Sequence, residues 1–296
     1  MISIIIPAYN EENAIENTIN RCKAILKDFD SKSEIIVIDD CSADKTLEII
    51  SAIKDIKVIS HPHNIGYGHS LKDGIMAADN DIIVITDGDG TYPVEEIPNL
   101  YHEYSKGFNM VVGARKGKHY HESMTKMIFR KILKFLVEFT AGRKIPDINS
   151  GLRIFSRKEM LTYFDTLCDT FSFTTSMTLA YMMTGKYVKY IPISYDERVG
   201  KTKVKIFKDS LRTLQFIIEA ILYYNPIKIY IVFSLLLLLI ALPNLILAFF
   251  TRLKIAYIIG IGSILLSILN LSIGLLSVQL KQVLQSAKVS QNDINN

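Results

Sequence analysis

The chain has 296 residues, of which 49% are hydrophobic and 22% charged, with a net charge of +4. That length holds one large α/β domain plus an appendage, and so small a charge excess gives no basis for a nucleic-acid partner. Its three cysteines, Cys22, Cys41 and Cys168, lack disulfide or metal-ligand spacing, which excludes a disulfide scaffold and points to a reducing compartment.

The opening "MISIIIPAYN" has no basic segment ahead of its apolar run, and that run is too short for a signal peptide. It reads as a first strand, "SIIIPAY". A helix follows from about Glu11, then the strand "SEIIVIDD", the helix "ADKTLEIISAIK", the strand "IKVISHP", the helix "GYGHSLKDGIMAA" and the strand "DIIVITD". Strands alternating with helices predict βαβ units, hence a mostly parallel Rossmann-like sheet with helices on both faces. Ligands in such sheets bind at the carboxyl ends of the strands.

Three strand ends carry chemistry. In "PAYNEE", Asn10 or Glu11 caps a helix or contacts a ligand, and Glu11 and Glu12 complement the helix's positive end. In "DDCSADKT", Asp44 reads as a cap, while Asp39 and Asp40 are consecutive carboxylates that cannot both be buried unpaired. In "DGDGTYP", strand alternation sends Asp87 and Asp89 to one side, and Gly88 between them permits close backbone approach. Two carboxylates so placed would repel unless a divalent cation and the diphosphate it binds lie between them. Gly66 and Gly68 precede a helix in "HNIGYGHSLKDG", where either a phosphate cradle or turn geometry accounts for them.

Taken in order, "SIIIPAYNEE", "EIIVIDDCSADKT", "HNIGYGHSLKDGI", "DIIVITDGDGTYP", "VVGAR", "DINSGLRIF" and "RVGKTK" resemble family 2 glycosyltransferases of the GT-A fold. The likeness is greatest to the polyprenyl-phosphate glycosyltransferases of the dolichol-phosphate mannose synthase group, and it covers residues 1 to about 210. The resemblance implies nucleotide-sugar contacts at Pro7, Tyr9 and Glu11, at Ile38 and Asp40 with Asp39 beside them, at Asp87, Gly88 and Asp89, and at Arg115. It implies Mg²⁺ or Mn²⁺ held by Asp89 and Asp87, with Thr91 standing where those synthases place a glutamine ligand. Asp87, Asp89 and Arg198 become the expected catalytic residues, and the implied donor is a GDP- or UDP-linked sugar. Arg115, Arg130 and Arg198 match basic residues near the phosphates, and Lys203 joins them as a cation for a lipid phosphate.

The membrane reading comes from composition. Ile229–Phe250 and Ile255–Leu280 contain no Lys, Arg, Asp, Glu or His. At about 1.5 Å per residue they span roughly 33 and 39 Å, enough for a hydrocarbon core of about 30 Å. With only "TRLK" between them they predict a transmembrane hairpin, within residues 226–281, and a core helix pair is the alternative. Arg212, Lys228, Lys281 and Lys288 on the outer flanks, against Arg252 and Lys254 in the loop, favour a cytoplasmic catalytic domain at residues 1–205 of a cell-membrane protein. "MTKMIFRKILKFLVEF" and "IFKDSLRTLQFIIEAILYY" read as basic amphipathic helices lying at the bilayer surface, the second at residues 206–225. The polar tail from residue 282 reads as unstructured, and a homo-oligomer stays open because the spans carry no decisive interface motif.

Between Asp169 and Asp196 the chain has no carboxylate to serve as a general base. A phosphate monoester, with a second pKa of about 6, needs orientation instead of deprotonation, so this absence favours a polyprenyl (dolichyl or undecaprenyl) phosphate acceptor. Transfer to a sugar hydroxyl of a lipid-linked glycan, and a non-catalytic nucleotide-sugar scaffold, are the alternatives. A processive synthase is disfavoured, since the chain has no Trp.

Overall fold

A computed structural model of the chain describes residues 1–116, 134–139, 141–170, 172–196 and 206–294, in two compact units, Met1–Ile217 and Ile218–Asn296. The first unit is built on a seven-stranded sheet. Its strands are β1 (Ser3–Ala8), β2 (Glu34–Asp39), β3 (Lys57–Ser60), β4 (Ile82–Ile85), β5 (Met110–Lys116), β6 (Arg153–Ser156) and β7 (Val188–Ser194), in spatial order β3-β2-β1-β4-β6-β5-β7. β1 pairs in parallel with β2 and β4, β2 with β3, and β5 with β7, while β6 runs antiparallel between β4 and β5. The expected mostly parallel sheet is present, with one reversed strand.

Burial explains the choice of residues. β1 and all but the first residue of β2 are wholly buried, as continuous Ile/Val runs covered on both faces should be. On one face, Ile4, Ile6, Ile35 and Val37 form a core with Ile15, Ile19 and Cys22 of α1 (Ile15–Leu26), Ile50 of α2 (Thr46–Ala52), and Ile97 and Leu100 of α4 (Ile97–Tyr104). The opposite face takes α3 (Tyr67–Ala77), where a Cβ at Gly74 would meet Ile5 Cγ2 at 2.5 Å and Ile38 Cδ1 at 2.7 Å. Helix and sheet approach so closely there that only glycine fits. Two further helices of this unit are α5 (Arg157–Leu161) and α6 (Phe173–Met183), and α6 is buried from Phe173 to Met182.

The first helix begins later than expected. Glu11–Ala14 form a turn in which Ala14 and Ile15 N–H both donate to the Glu11 carbonyl, and regular helix starts at Ile15. A helix, α7, runs Ile206–Tyr224 as the sequence predicts. Residues 134–139 are helical, with Phe135 and Phe139 stacked and exposed; the remainder of that expected amphipathic helix, including Arg130, lies outside the described residues.

In the second unit, α8 (Ile227–Thr251) and α9 (Lys254–Ile294) form an antiparallel hairpin, both long and apolar enough to cross a membrane. Arg252 turns the corner in the left-handed conformation. A Cβ at Gly260 would lie 2.6 Å from Leu245, and one at Gly274 2.7 Å from Tyr230, so the helices meet along small residues. Ser234 and Ser267 each donate to the other's carbonyl at 3.1 Å, and Asn270 Nδ2 donates to the Tyr230 carbonyl and to Ser234 Oγ at 2.7 and 2.8 Å. The polar tail does not end the helix: α9 continues to Ile294, because no Gly or Pro interrupts it after Gly274.

Candidate active site

The strand ends assemble where the sheet order reverses, as β1 lies between β2 and β4. The loops after β1 and β2 are laced together. Asn10 N–H donates to Ser42 Oγ and Glu11 N–H to Thr46 Oγ1, while Asn10 Oδ1 accepts from Ala43 N–H and Glu12 Oε2 from Lys45 N–H. Asn10 and Cys41 adopt left-handed backbone, with φ of 53° and 61°, so each strand ends in a sharp bend. Asn10 and the Glu11 backbone thus tie the two loops together, and no side chain of the residue preceding Ile15 caps α1.

Asp39 and Asp40 point to different tasks. Asp39 is fully buried; its Oδ2 accepts from Ser42 N–H at 3.1 Å, and its Oδ1 has no partner among the described residues. Asp40 organises the loop ahead of α3. Its Oδ1 accepts from Ile65 N–H at 2.9 Å and lies 3.0 Å from His61 Nδ1, and its Oδ2 accepts from Gly66 N–H at 2.9 Å. The other His61 nitrogen is 3.0 Å from Asp73 Oδ2. Ile38 packs its side chain against α3, and its backbone sits in β2 between β1 and β3.

The phosphate-cradle reading of Gly66 and Gly68 does not hold. A Cβ at Gly68 would sit 2.5 Å from the Cys168 carbonyl oxygen, and His69 N–H donates to the Asp169 carbonyl at 2.9 Å. The amino end of α3 is thus closed by Asp40 and by residues 168–170, and the glycines exist for that contact.

Asp87, Gly88 and Asp89 lie in the turn after β4, which ends at Ile85, so strand alternation is not what positions the two carboxylates. Gly88 packs on the end of β1: its Cβ would be 3.3 Å from the Pro7 carbonyl and 3.0 Å from Ile15 Cδ1. Gly90, with φ of 75°, completes the turn. Asp89 is buried, and its Oδ1 accepts from both Thr91 N–H at 3.1 Å and Thr91 Oγ1 at 2.6 Å. The Thr91 hydroxyl accordingly orients Asp89. Tyr67, the first residue of α3, donates its phenolic hydrogen to Asp87 Oδ1 at 2.8 Å. Burial, and then the neighbouring Asp87 charge, push the Tyr67 phenol well above its ordinary pKa, so it remains a donor.

Arg115, at the end of β5, is fixed by Asp147: Nε donates to Oδ2 at 2.7 Å and Nη2 to Oδ1 at 2.9 Å, with the guanidinium 5.3 Å from the Tyr195 ring centroid. Burial raises the Asp147 pKa, but the Arg115 hydrogen bonds and charge outweigh it and the carboxyl stays below its ordinary value. Tyr195 stacks edge-on with Tyr92, whose hydroxyl accepts from Gly151 N–H at 2.6 Å. The Tyr195 phenol is raised first by burial, and it feels the charges of Asp89 and Asp87 as well as Arg115. Arg153, wholly buried, donates to the carbonyls of Ser150 and Ile148 and to Thr178 Oγ1 and so shapes the 148–150 turn.

Two carboxylates with a flanking hydroxyl suit a hard divalent cation whose remaining ligands are diphosphate oxygens and water. Among the described residues no group of three His, Cys, Asp or Glu side chains could hold an ion without such help. Arg198 and Lys203 lie outside the described residues, so the structure says nothing of their place. Tyr67, Tyr92 and Arg153 carry no site signal in the sequence; Asp147 and Asn149 in "PDINSGLRIF" read there as shaping the acceptor-side loop or as capping or turn residues, and the structure makes Asp147 the anchor of Arg115.

Comparison with known proteins gives consistent results. The family description "Glycosyl transferase family 2" matches residues 3–163, more than half of the chain. The low-salt glycan biosynthesis hexosyltransferase Agl6 of Haloferax volcanii is 29% identical over 222 residues, 73% of this chain but 53% of that protein, so the chain spans about half its length. The dolichyl-phosphate hexose transferase of the same organism is 29% identical over 70% of this chain and 87% of its own. An undecaprenyl-phosphate 4-deoxy-4-formamido-L-arabinose transferase of Salmonella paratyphi A is 26% identical over 77% of this chain and 69% of its own. Among solved structures, glucosyl-3-phosphoglycerate synthase from Mycobacterium tuberculosis superposes with a TM-score of 0.62, 20% identity, and coverage of 74% of this chain and 79% of that one. The same enzyme in complex with Mn²⁺, UDP and glucosyl-3-phosphoglycerate gives a TM-score of 0.60. The fold is therefore GT-A-like.

Proposed function

Because the chain belongs to glycosyl transferase family 2, we propose that it is a membrane-associated glycosyltransferase that moves a hexose from a GDP- or UDP-linked sugar to a polyprenyl phosphate. The observation that carries this reading is the match over 87% of a dolichyl-phosphate hexose transferase, in a chain that also has two helices able to cross a membrane. The absence of any carboxylate between Asp169 and Asp196 supports a phosphate acceptor, which needs no general base.

In this reading the nucleotide lies over the laced loops after β1 and β2. Pro7, Tyr9 and Glu11 flank it on one side and Ile38 and Asp40 on the other, and the unmatched Asp39 Oδ1 offers an acceptor to a base N–H. Asp87 and Asp89 are the residues that would hold Mg²⁺ or Mn²⁺ at the diphosphate end. When bound, that ion neutralises the charge developing on the departing nucleoside diphosphate. Thr91 keeps Asp89 turned toward that position, and Arg115 is oriented for a phosphate by Asp147. A lipid phosphate oxygen attacks the anomeric carbon as the bond to the β-phosphate oxygen breaks, and the electron pair leaves with the diphosphate. The configuration inverts. Arg130, Arg198 and Lys203 are assigned to the lipid phosphate, and the catalytic unit to the cytoplasmic side.

NMR of the glycolipid formed from a donor of known anomeric configuration tests this mechanism. An inverted linkage to phosphate is expected; a retained configuration, or a sugar joined to a glycan hydroxyl, overturns it.

A further inference from the structure

Asp87 is gripped from two directions by groups that neither strand pairing nor the Asp-Gly-Asp pattern supplies. On one side the Tyr67 hydroxyl donates to Oδ1 at 2.8 Å. On the other, a Cβ added at Gly151 would come within 2.7 Å of Oδ1 and 2.8 Å of Oδ2, so the carboxylate lies flat against that glycine. Tyr67 is itself held by the backbone on both sides of it. Gly66 N–H is taken by Asp40 Oδ2, and His69 N–H by the Asp169 carbonyl. The next residue, Gly68, is pressed on residues 168–170 so tightly that no side chain fits. These contacts fix the start of α3 from which the ring projects, and the hydroxyl's bond to Asp87 holds the ring itself.

We propose that Tyr67 is a positioning residue, fixing the plane of the Asp87 carboxylate so that it presents one orientation to a divalent cation and its bound diphosphate. The inference rests on the reading of Asp87 as a cation- and diphosphate-facing group. A hydroxyl donating to a metal-facing carboxylate fixes its direction before the ion arrives, and loss of such an outer partner costs about 10- to 100-fold in metal affinity. Tyr67→Phe removes only the hydroxyl. The ring, and with it the packing of α3, stays.

The test uses the full chain in detergent, with Mn²⁺ binding followed by electron paramagnetic resonance in the presence of saturating UDP or GDP, and nucleotide binding measured separately without metal. Tyr67→Phe is expected to weaken Mn²⁺ binding about 10- to 100-fold while leaving metal-free nucleotide affinity unchanged. Gly151→Ala, which displaces the same carboxylate from the other side, is expected to weaken Mn²⁺ binding too. Asp87→Asn separates the two levels of the argument. If it weakens Mn²⁺ binding while Tyr67→Phe matches the unaltered protein, the Tyr67 role is wrong and the cation reading stands. If neither substitution changes Mn²⁺ binding, the assignment of Asp87 fails and the Tyr67 role with it. Equal losses with and without metal in Tyr67→Phe make the residue structural and overturn the proposal.

Discussion

Arg115 and Asp147 form a two-pronged ion pair in which the carboxylate also accepts the Arg115 backbone N–H at 3.1 Å and the Asn149 N–H at 3.1 Å. Side-chain exposure is 12% for the arginine and 2% for the aspartate, so solvent screens the pair little. The protein itself sets the guanidinium plane, and under the proposed function this is the preorganisation that stabilising a phosphate's charge requires.

Asp147→Asn keeps the shape and removes the charge, leaving Arg115 partly buried without its counterion. Breaking a buried pair in this way costs about 3 kcal/mol. Denaturant unfolding is expected to show that loss, together with a raised KM for the nucleotide sugar, since Arg115 loses the partner that orients it for bidentate contact.

The same pair sets a pH dependence. The Asp147 carboxyl is held below its ordinary value in the folded state, so its contribution is fully present above the unfolded value of about 3.9 and is lost as pH falls through the lower folded value. Stability of the unaltered protein should therefore drop steeply below about pH 4, with the gap between it and Asp147→Asn closing over that range. A gap that persists unchanged at pH 2 contradicts this.

Gly151→Ala places a methyl group against the Asp87 carboxylate. Overpacking of this kind costs about 1 to 3 kcal/mol, and the displaced carboxylate is expected to lower kcat more than it lowers stability. Thermal unfolding and initial rates, measured on one preparation, check the two effects separately.

Asn270→Leu removes the donor that links Tyr230 and Ser234 across the hairpin. Hydrogen bonds between membrane helices contribute about 0.6 to 2 kcal/mol. A drop of that size in the unfolding free energy of detergent-solubilised protein is expected, with donor binding by the first unit unchanged.

Much of this architecture could be read from the chain because its signals are local. The runs "SIIIPA" and "EIIVID" are continuous and apolar, as central parallel strands require, and the two charge-free stretches announce the hairpin by length alone. The reversed strand β6 is four residues long, and its pairing with β4 and β5 depends on partners 41 to 74 positions away in the sequence. Nothing in "RIFS" specifies that. Asp87 and Asp89 were legible as a pair, but the groups that aim them, Tyr67 and Thr91, act through tertiary contact. Gly66 and Gly68 left two readings open for a related reason: a glycine before a helix looks the same in sequence whether it faces a phosphate or another stretch of backbone. Arg153 is the extreme case, a cation buried among carbonyls where sequence statistics place arginine at the surface.

The central claim is that the carboxylates after β4 carry sugar transfer from a nucleotide to a lipid phosphate. Its most direct test is transfer by the purified full chain in detergent with Mg²⁺ or Mn²⁺, from radiolabelled GDP- and UDP-sugars to a short polyprenyl phosphate, beside Asp89→Ala. Label entering the organic phase from one donor, requiring metal and lost in Asp89→Ala, is the predicted result. Label that forms equally well without Asp89, or metal-dependent nucleotide binding with no transfer to the lipid phosphate from any donor, would contradict it.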